Sequence, residues 1–320
     1  MTTILDKLGE AGAAAIPMTP TMFDSRAQLL KTNNPTELKV SYYNGVLSLY
    51  GSWLREQAYG RGLGFVDMWA PMNDLTLEQR KKDPKWTMIP DAVHPSAPGQ
   101  VVMAVAVIDN ILPHPPVSQI VVADDKGKAE VKATRGVASN LQKTAKGVTF
   151  DFTGESLPWV LPPDAAAGYE LTHAGHRLSN EKVTVRDLAA GEYVLKIDGN
   201  DVAKLTSGQL AFGVELEGNE KTPEYQQALK VALLNKKRND EAVRLLRNEW
   251  GGMKGQLRTI TKAKTENAPD LADKQKAYDE WLPGFHSRIK ELIAKAQAIE
   301  EEIYQANQPV AHHYEVVAAQ

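Results

Sequence analysis

The chain contains no cysteine, and none of its 320 residues belongs to a long uninterrupted apolar run. The lack of cysteine excludes disulfide bonds, thiolate metal ligands and a cysteine nucleophile, but it leaves the cellular compartment open. A membrane-spanning helix needs roughly 18 consecutive apolar residues, so the sequence predicts no membrane span of this kind.

The chain also lacks an excess of charge of either sign, because 37 basic residues face 40 acidic ones and give a net charge of -3. A general nucleic-acid binder carries a basic face, so this class of protein is not predicted. A hydrophobic content of 42% and a charged content of 24% are typical of a globular chain long enough for two or three domains.

Helix-like and strand-like patterns alternate over residues 1–113. The apolar spacing predicts helices at 1–9, 42–58 and 98–112, and short apolar runs predict strands at 13–18 and 64–69. Because each strand is followed by a segment that can cross back over it, this order indicates an α/β fold with a parallel sheet.

Two strands are too few to cover three helices, so this α/β domain is expected to have further strands. The most direct interpretation places them before Met1, which makes Met1 an internal start of a longer domain. The open sheet edge, or the helices at the other end of the chain, would then favour a homo-oligomer.

The periodicity changes to two over residues 114–218. Strand-like segments separated by Gly, Asn and Asp turns predict an antiparallel β-sandwich. The segments are Ile120–Ala123, Ala129–Ala133, Val148–Phe152, Lys182–Val185, Glu192–Ile197 and Leu210–Leu216.

Residues 219–320 are dominated by helical spacing. Apolar residues at three-four spacing from Tyr225 to Leu257 and again from Ile289 to Ile303 predict an α-helical hairpin with coiled-coil character. The segment from Gln308 onward has little pattern, and we expect it to be loose.

Asp91 and His94 lie three residues apart in the loop before the last helix of the first zone. An aspartate that accepts from one imidazole nitrogen fixes the tautomer and leaves the other nitrogen able to take a proton from a hydroxyl. The structural alternative is an aspartate that caps a backbone amide beside a half-exposed histidine. Ligand sites of α/β folds gather in loops of this kind, which favours the catalytic interpretation.

This segment resembles the last motif of the SGNH hydrolases, also called GDSL-type esterases. Asp91, His94, Pro95, Ser96 and Gly99 match the Asp-x-x-His motif and the residues that follow it in that family. The resemblance covers residues 1 to about 112 and implies the C-terminal part of a three-layer α/β domain. It also implies an ester hydrolase in which Asp91 and His94 are the acid and base of a Ser-His-Asp triad, with a small-molecule or acetylated carbohydrate ester as substrate.

The chain departs from that family in lacking the Gly-Asp-Ser motif of the nucleophile and the Gly-x-Asn-Asp motif of the oxyanion hole. The nearest alternative is Asp24-Ser25, but a dipeptide alone does not make a triad. Ser52 and Ser96 are interpreted as structural serines. We therefore expect the nucleophile and the oxyanion hole to lie outside this chain.

The remaining histidines do not predict a metal site, and no cofactor is predicted. His173 and His176 lack a third ligand nearby, so a turn with two surface histidines is expected. His312 and His313 are expected to be exposed in the tail.

Aromatic and basic residues outside the loop are also interpreted structurally. Trp69, Trp86 and Trp159 are expected to pack in a core rather than to line a sugar site. The basic run 236–238 is balanced by nearby acids and predicts a solvated helix face. The alternative to an esterase is a non-catalytic scaffold that binds a carbohydrate or a protein.

Overall fold

A computed structural model of the protein describes residues 1–31 and 38–319. The chain forms two compact units, of which the first comprises Met1–Val117 and Pro163–Glu181. The second unit comprises Ser118–Pro162 and Lys182–Gln320. The division into zones 1–113, 114–218 and 219–320 stays a prediction.

The first unit is mainly helical, and the three predicted helices are confirmed as α1, α3 and α5. Its α-helices are α1 (Thr2–Glu10), α2 (Ser25–Lys31), α3 (Leu38–Gly60), α4 (Trp69–Lys82), α5 (Ala97–Ile111), α6 (Ala166–Thr172) and α7 (Ala174–Leu178). A small core of methionine and aliphatic side chains, among them Met72, Ile89 and Val102, lies between these elements.

The two predicted parallel strands meet in one parallel bridge between Met18 and Val66. The second strand is shorter than predicted, because the Asp67 carboxylate accepts from the N–H groups of Trp69 and Ala70 and so begins α4. Helix α4 (Trp69–Lys82) was not among the helices predicted from the apolar spacing.

The second unit contains the predicted β-sandwich. Its strands are β1 (Ser118–Asp125), β2 (Lys128–Thr134), β3 (Gly136–Thr144), β4 (Gly147–Gly154), β5 (Glu181–Val185), β6 (Glu192–Ile197), β7 (Asn200–Thr206), β8 (Val214–Glu215) and β9 (His312–Ala318). They form a four-stranded sheet β2-β1-β5-β8 and a five-stranded sheet β3-β4-β9-β6-β7. Both sheets contribute to one core, in which Ile120, Phe150 and Leu195 are almost fully buried.

The tail was predicted to be loose, and this prediction was wrong. Strand β9 lies between β4 and β6 and buries His312, Tyr314 and Val316 on one face. The backbone of β9 comes so close to Gly147 that a Cβ at that position would lie 1.9 Å from the carbonyl oxygen of Val316. The end of the chain is therefore a central strand of the sandwich.

The predicted strand at Leu210–Leu216 is corrected in part, because its first three residues belong to helix α8 (Ser207–Phe212) and only Val214–Glu215 form strand β8. Thr206 and Gln209 form a capping box: the Thr206 N–H donates to Gln209 Oε1 and the Gln209 N–H donates to Thr206 Oγ1. This reciprocal pair satisfies N–H groups that a helix start leaves unpaired, and so favours the helix over a strand.

We expect Thr206→Ala to destabilise α8, because the Gln209 N–H loses its acceptor. The loss should be about 1 kcal/mol of local stability, as for other N-cap threonines. Amide hydrogen exchange of residues 207–212 measures it. Thr206→Ser keeps the acceptor oxygen and should exchange as the wild type does; equal exchange in both variants would contradict this role of the cap.

The C-terminal helical hairpin is confirmed. Helix α9 (Pro223–Arg238) continues through a π-helical turn (Asn239–Val243) into α10 (Arg244–Thr265), and α11 (Leu271–Ala306) returns beside it. Ion pairs of Glu300 with Arg238, Lys295 with Glu241 and Arg288 with Glu249 fix the antiparallel register. In the part of the chain that the structure describes, no helix combines the length and apolar character needed to cross a membrane.

Candidate functional site

Asp91 and His94 are in direct contact in the turn that precedes α5. Asp91 Oδ1 accepts hydrogen bonds from the N–H groups of Val93 at 2.9 Å and His94 at 2.6 Å. Asp91 Oδ2 lies 2.7 Å from Nδ1 of the His94 ring. One carboxylate thus caps the turn and also orients the imidazole.

The hydrogen bonds to Asp91 determine its protonation state. The backbone N–H of His94, followed by the His94 ring and the N–H of Val93, holds the pKa of the Asp91 carboxyl well below its usual range. The carboxylate is therefore charged at neutral pH, and whenever the imidazole is neutral this acceptor assigns the ring proton to Nδ1 and leaves the lone pair on Nε2. This is the tautomer that a general base needs.

Solvent reaches the pair freely, because the His94 side chain is 82% exposed and that of Asp91 is 49% exposed. Among residues 1–31 and 38–319, Asp91 is the one hydrogen-bonding partner of the His94 side chain. Nε2 is thus open to a group that is not part of the described residues.

We expect His94→Ala to raise the pKa of Asp91 only part of the way to its ordinary value of about 3.9. The largest cause of the low pKa is the backbone N–H of residue 94, which an alanine retains. Because the pKa is lowered by folding, the stabilisation from this carboxylate is present above the ordinary pKa and is lost as pH falls through the folded value. A 13C titration of the Asp91 carboxyl checks this. A full return to the ordinary pKa in His94→Ala would show that the imidazole alone sets it.

The backbone behind the pair is buried and closely packed. Ser96 donates from both its N–H and its hydroxyl to the carbonyl oxygen of Met88. A Cβ at Gly99 would lie 2.8 Å from Pro95 Cβ and 2.9 Å from the Met88 oxygen, so glycine is required there. Two residues of the SGNH-like motif, Ser96 and Gly99, therefore shape the turn that presents His94.

The candidate serines are used elsewhere. Ser52 Oγ donates to the Ser48 carbonyl inside α3, and Ser96 Oγ donates to Met88. Ser25 begins α2, and the carboxylate of the adjacent Asp24 binds Arg80 and Thr87. The structure thus brings Asp91 and His94 together but places no serine hydroxyl of the described residues on His94.

The other histidines differ in burial. His173 and His176 are exposed, as predicted, and His173 adopts a left-handed conformation with φ of 51° between α6 and α7. The prediction for His312 was wrong, because this ring is buried in β9 with Nδ1 2.7 Å from Asp198. His313 is half-exposed, with Nδ1 2.6 Å from Asp151.

The remaining sequence candidates have structural roles. Trp69 and Trp86 pack against the methionine core of the first unit, as expected. Trp159 instead lines a cavity of about 510 Å³ beside α9 in the second unit. Within the basic run, Lys236 pairs with Asp240 and Arg238 with Glu300, which agrees with a charge-balanced helix face.

Sequence reasoning missed the residues that support the turn from behind. Arg80 and Thr87 both bind the Asp24 carboxylate although they lie far from it in the sequence. The sequence showed only that Asp24 follows the first predicted strand. Its spacing does not indicate that Arg80 and Thr87 are its partners.

No protein-family model matches the chain, and no curated protein sequence matches it either. A solved structure described as "BT4096 a gut microbial diltiazem-metabolizing enzyme" is similar to it, with a TM-score of 0.76 and 22% sequence identity. The similarity covers 96% of this chain and 73% of that chain. At this identity the comparison shows a shared fold.

Proposed function

We propose that this chain contributes the acid and base of a Ser-His-Asp ester hydrolase, of the SGNH type that the loop motif resembles. The observation that carries the proposal is the 2.7 Å contact between Asp91 Oδ2 and His94 Nδ1, with Nε2 facing solvent. Asp91 is the orienting acid and His94 the general base.

The reaction is acyl transfer from an ester to water. His94 Nε2 takes the proton of a serine hydroxyl while the serine oxygen attacks the ester carbonyl, and the resulting imidazolium gives that proton to the leaving alcohol. Water then attacks the acyl-enzyme with His94 again as base, and the imidazolium returns that proton to the serine oxygen as the acid product leaves. Asp91 stays ionised throughout and stabilises the imidazolium.

The serine and the oxyanion donors of this reaction are proposed to lie on a polypeptide outside these 320 residues. The open parallel edge of the first unit supports this, because Ile16 and Met18 beside the single bridge are 41% and 39% exposed. Apolar side chains of α1 and α3 are exposed as well, including Ile4, Leu49 and Tyr50. A polypeptide that adds parallel strands and covers these helices would bury them.

The shared fold also supports a small-molecule substrate, because the similar solved structure is described as metabolising a drug. An acetylated carbohydrate or a simple ester is the substrate class that the SGNH-like motif implies.

Turnover of p-nitrophenyl acetate tests the proposal, with the 320-residue chain compared with the complete product, which is this chain together with the polypeptide proposed to carry the serine. We expect turnover by the complete product and none above buffer by the 320-residue chain. Turnover by the short chain would contradict the external nucleophile. A lack of turnover by the complete product would favour the non-catalytic scaffold.

A further inference from the structure

The segment Trp86–His94, called the dyad loop below, is held from behind by Asp24. Arg80 Nη2 donates to both carboxylate oxygens of Asp24, at 2.8 Å and 2.7 Å. The Thr87 hydroxyl donates to Asp24 Oδ2, and Thr87 Oγ1 accepts from the N–H of Ile89 at 2.9 Å. Asp24 thus binds the first half of the dyad loop through a side-chain hydroxyl.

Asp24 and Arg80 also bind backbone carbonyl oxygens of the dyad loop. Arg80 Nε donates to the Trp86 carbonyl oxygen at 2.9 Å. The N–H of Asp24 donates to the carbonyl oxygen of Ala92 at 3.0 Å. The loop is therefore bound at Trp86, at Thr87 and at Ala92, which follows Asp91 directly.

The Asp24–Arg80 pair is buried, since the Asp24 side chain is 1% exposed and that of Arg80 is 15% exposed. A buried ion pair does not by itself imply a net gain in stability, because desolvation of both charges offsets their attraction. One further hydrogen bond to the Asp24 carboxylate comes from the Ala27 N–H, and this bond caps the start of α2. The bonds from Arg80 and Thr87 link the carboxylate to α4 and to the dyad loop.

Within the described ranges 1–31 and 38–319, no side chain holds His94 from the solvent side apart from Asp91 itself. Asp91 and His94 are largely exposed, so the direction of the imidazole depends on the backbone of the loop. That backbone includes Ala92 at a φ of 75°, which L residues rarely adopt and which the surrounding contacts must maintain. The bond from the Asp24 N–H to Ala92 is one such contact.

We propose that Asp24 and Arg80 are positioning residues that fix the orientation of the His94 ring by clamping the dyad loop at both ends. Neither side chain contacts His94, so they act through the loop and not as catalytic residues. The inference rests on the proposed function for the use of the oriented ring. The orientation itself is a property of the chain alone.

The test reads the His94 ring by 15N NMR at a pH where it is neutral, with the His94 signal assigned from His94→Ala. In the wild type we expect one tautomer, protonated at Nδ1. Asp24→Asn and Thr87→Val should lose this single state and populate both tautomers. Thr87→Ser keeps the hydroxyl and should restore the wild-type signal. The matched control Asp6→Asn breaks the exposed ion pair with Arg61 and should leave the His94 signal unchanged.

Folded Asp24→Asn and Thr87→Val variants with wild-type His94 signals would overturn the proposal. Should Asp24→Asn fail to fold, the comparison of Thr87→Val with Thr87→Ser decides alone. A Thr87→Val variant that does not fold would show that the bond from Thr87 to Asp24 is needed for folding. This result would also contradict a role of that bond in positioning His94. If the complete product has no esterase activity but its His94 ring still shows a single tautomer, the proposed function is contradicted. The positioning role of Asp24 and Arg80 then still stands.

Discussion

Replacement of His94 by alanine is expected to lower kcat for ester hydrolysis about ten-thousand-fold or more when this chain is joined by the polypeptide proposed to carry the serine. The serine hydroxyl then has no base, and the leaving alcohol has no proton donor. KM should change little, because the imidazole binds the reacting proton and not the body of the substrate. Steady-state kinetics with p-nitrophenyl acetate and a second short-chain ester measure both constants.

The chain supplies a matched control for this prediction. His313 pairs with Asp151 through Nδ1 at 2.6 Å, a distance close to the 2.7 Å between His94 and Asp91. His313→Ala should retain wild-type kcat, since this second pair lies across β4 and β9 in the other unit. Equal kcat in the wild type and His94→Ala, or a comparable loss in His313→Ala, would contradict the role of His94.

Substitution of Val316 by aspartate is expected to unfold the β-sandwich. Val316 is fully buried and lies opposite Val148 on β4 and Leu195 on β6, which are themselves buried. An unpaired carboxylate there has no partner and is cut off from water, so the loss should reach about 4 kcal/mol or more. Thermal unfolding and amide exchange of β4 and β6 measure it.

The same substitution at Val310 controls for added charge in the tail. Val310 precedes β9 and is 53% exposed, so Val310→Asp should unfold at close to the wild-type temperature. Similar unfolding temperatures for Val316→Asp and the wild type would contradict the central place of β9. They would restore the interpretation of the tail as loose.

Local signals in the sequence were enough to predict the turn with Asp91 and His94. The carboxylate binds N–H groups two and three residues away, so local spacing predicts the turn that carries His94. The sandwich and the helical hairpin were predictable for the same reason, because period two and three-four spacing are local properties.

What the sequence did not predict depends on distant partners. Strand β9 pairs with residues more than 100 positions away, so its short alternating pattern carried too little local signal to stand out. Asp24, Arg80 and Thr87 meet only after α4 has formed, and α4 was itself missed. Such contacts depend on tertiary packing, which local propensity does not encode.

Labelling with a fluorophosphonate, a serine-directed reagent, tests the central claim most directly. It is applied to the complete product, which is this chain with the polypeptide proposed to carry the serine, and to the same product with His94→Ala or His313→Ala. The account predicts one labelled serine outside these 320 residues, strong labelling in the wild type and His313→Ala, and almost none in His94→Ala. No labelling of the complete product, or labelling that His94→Ala leaves unchanged, would contradict it.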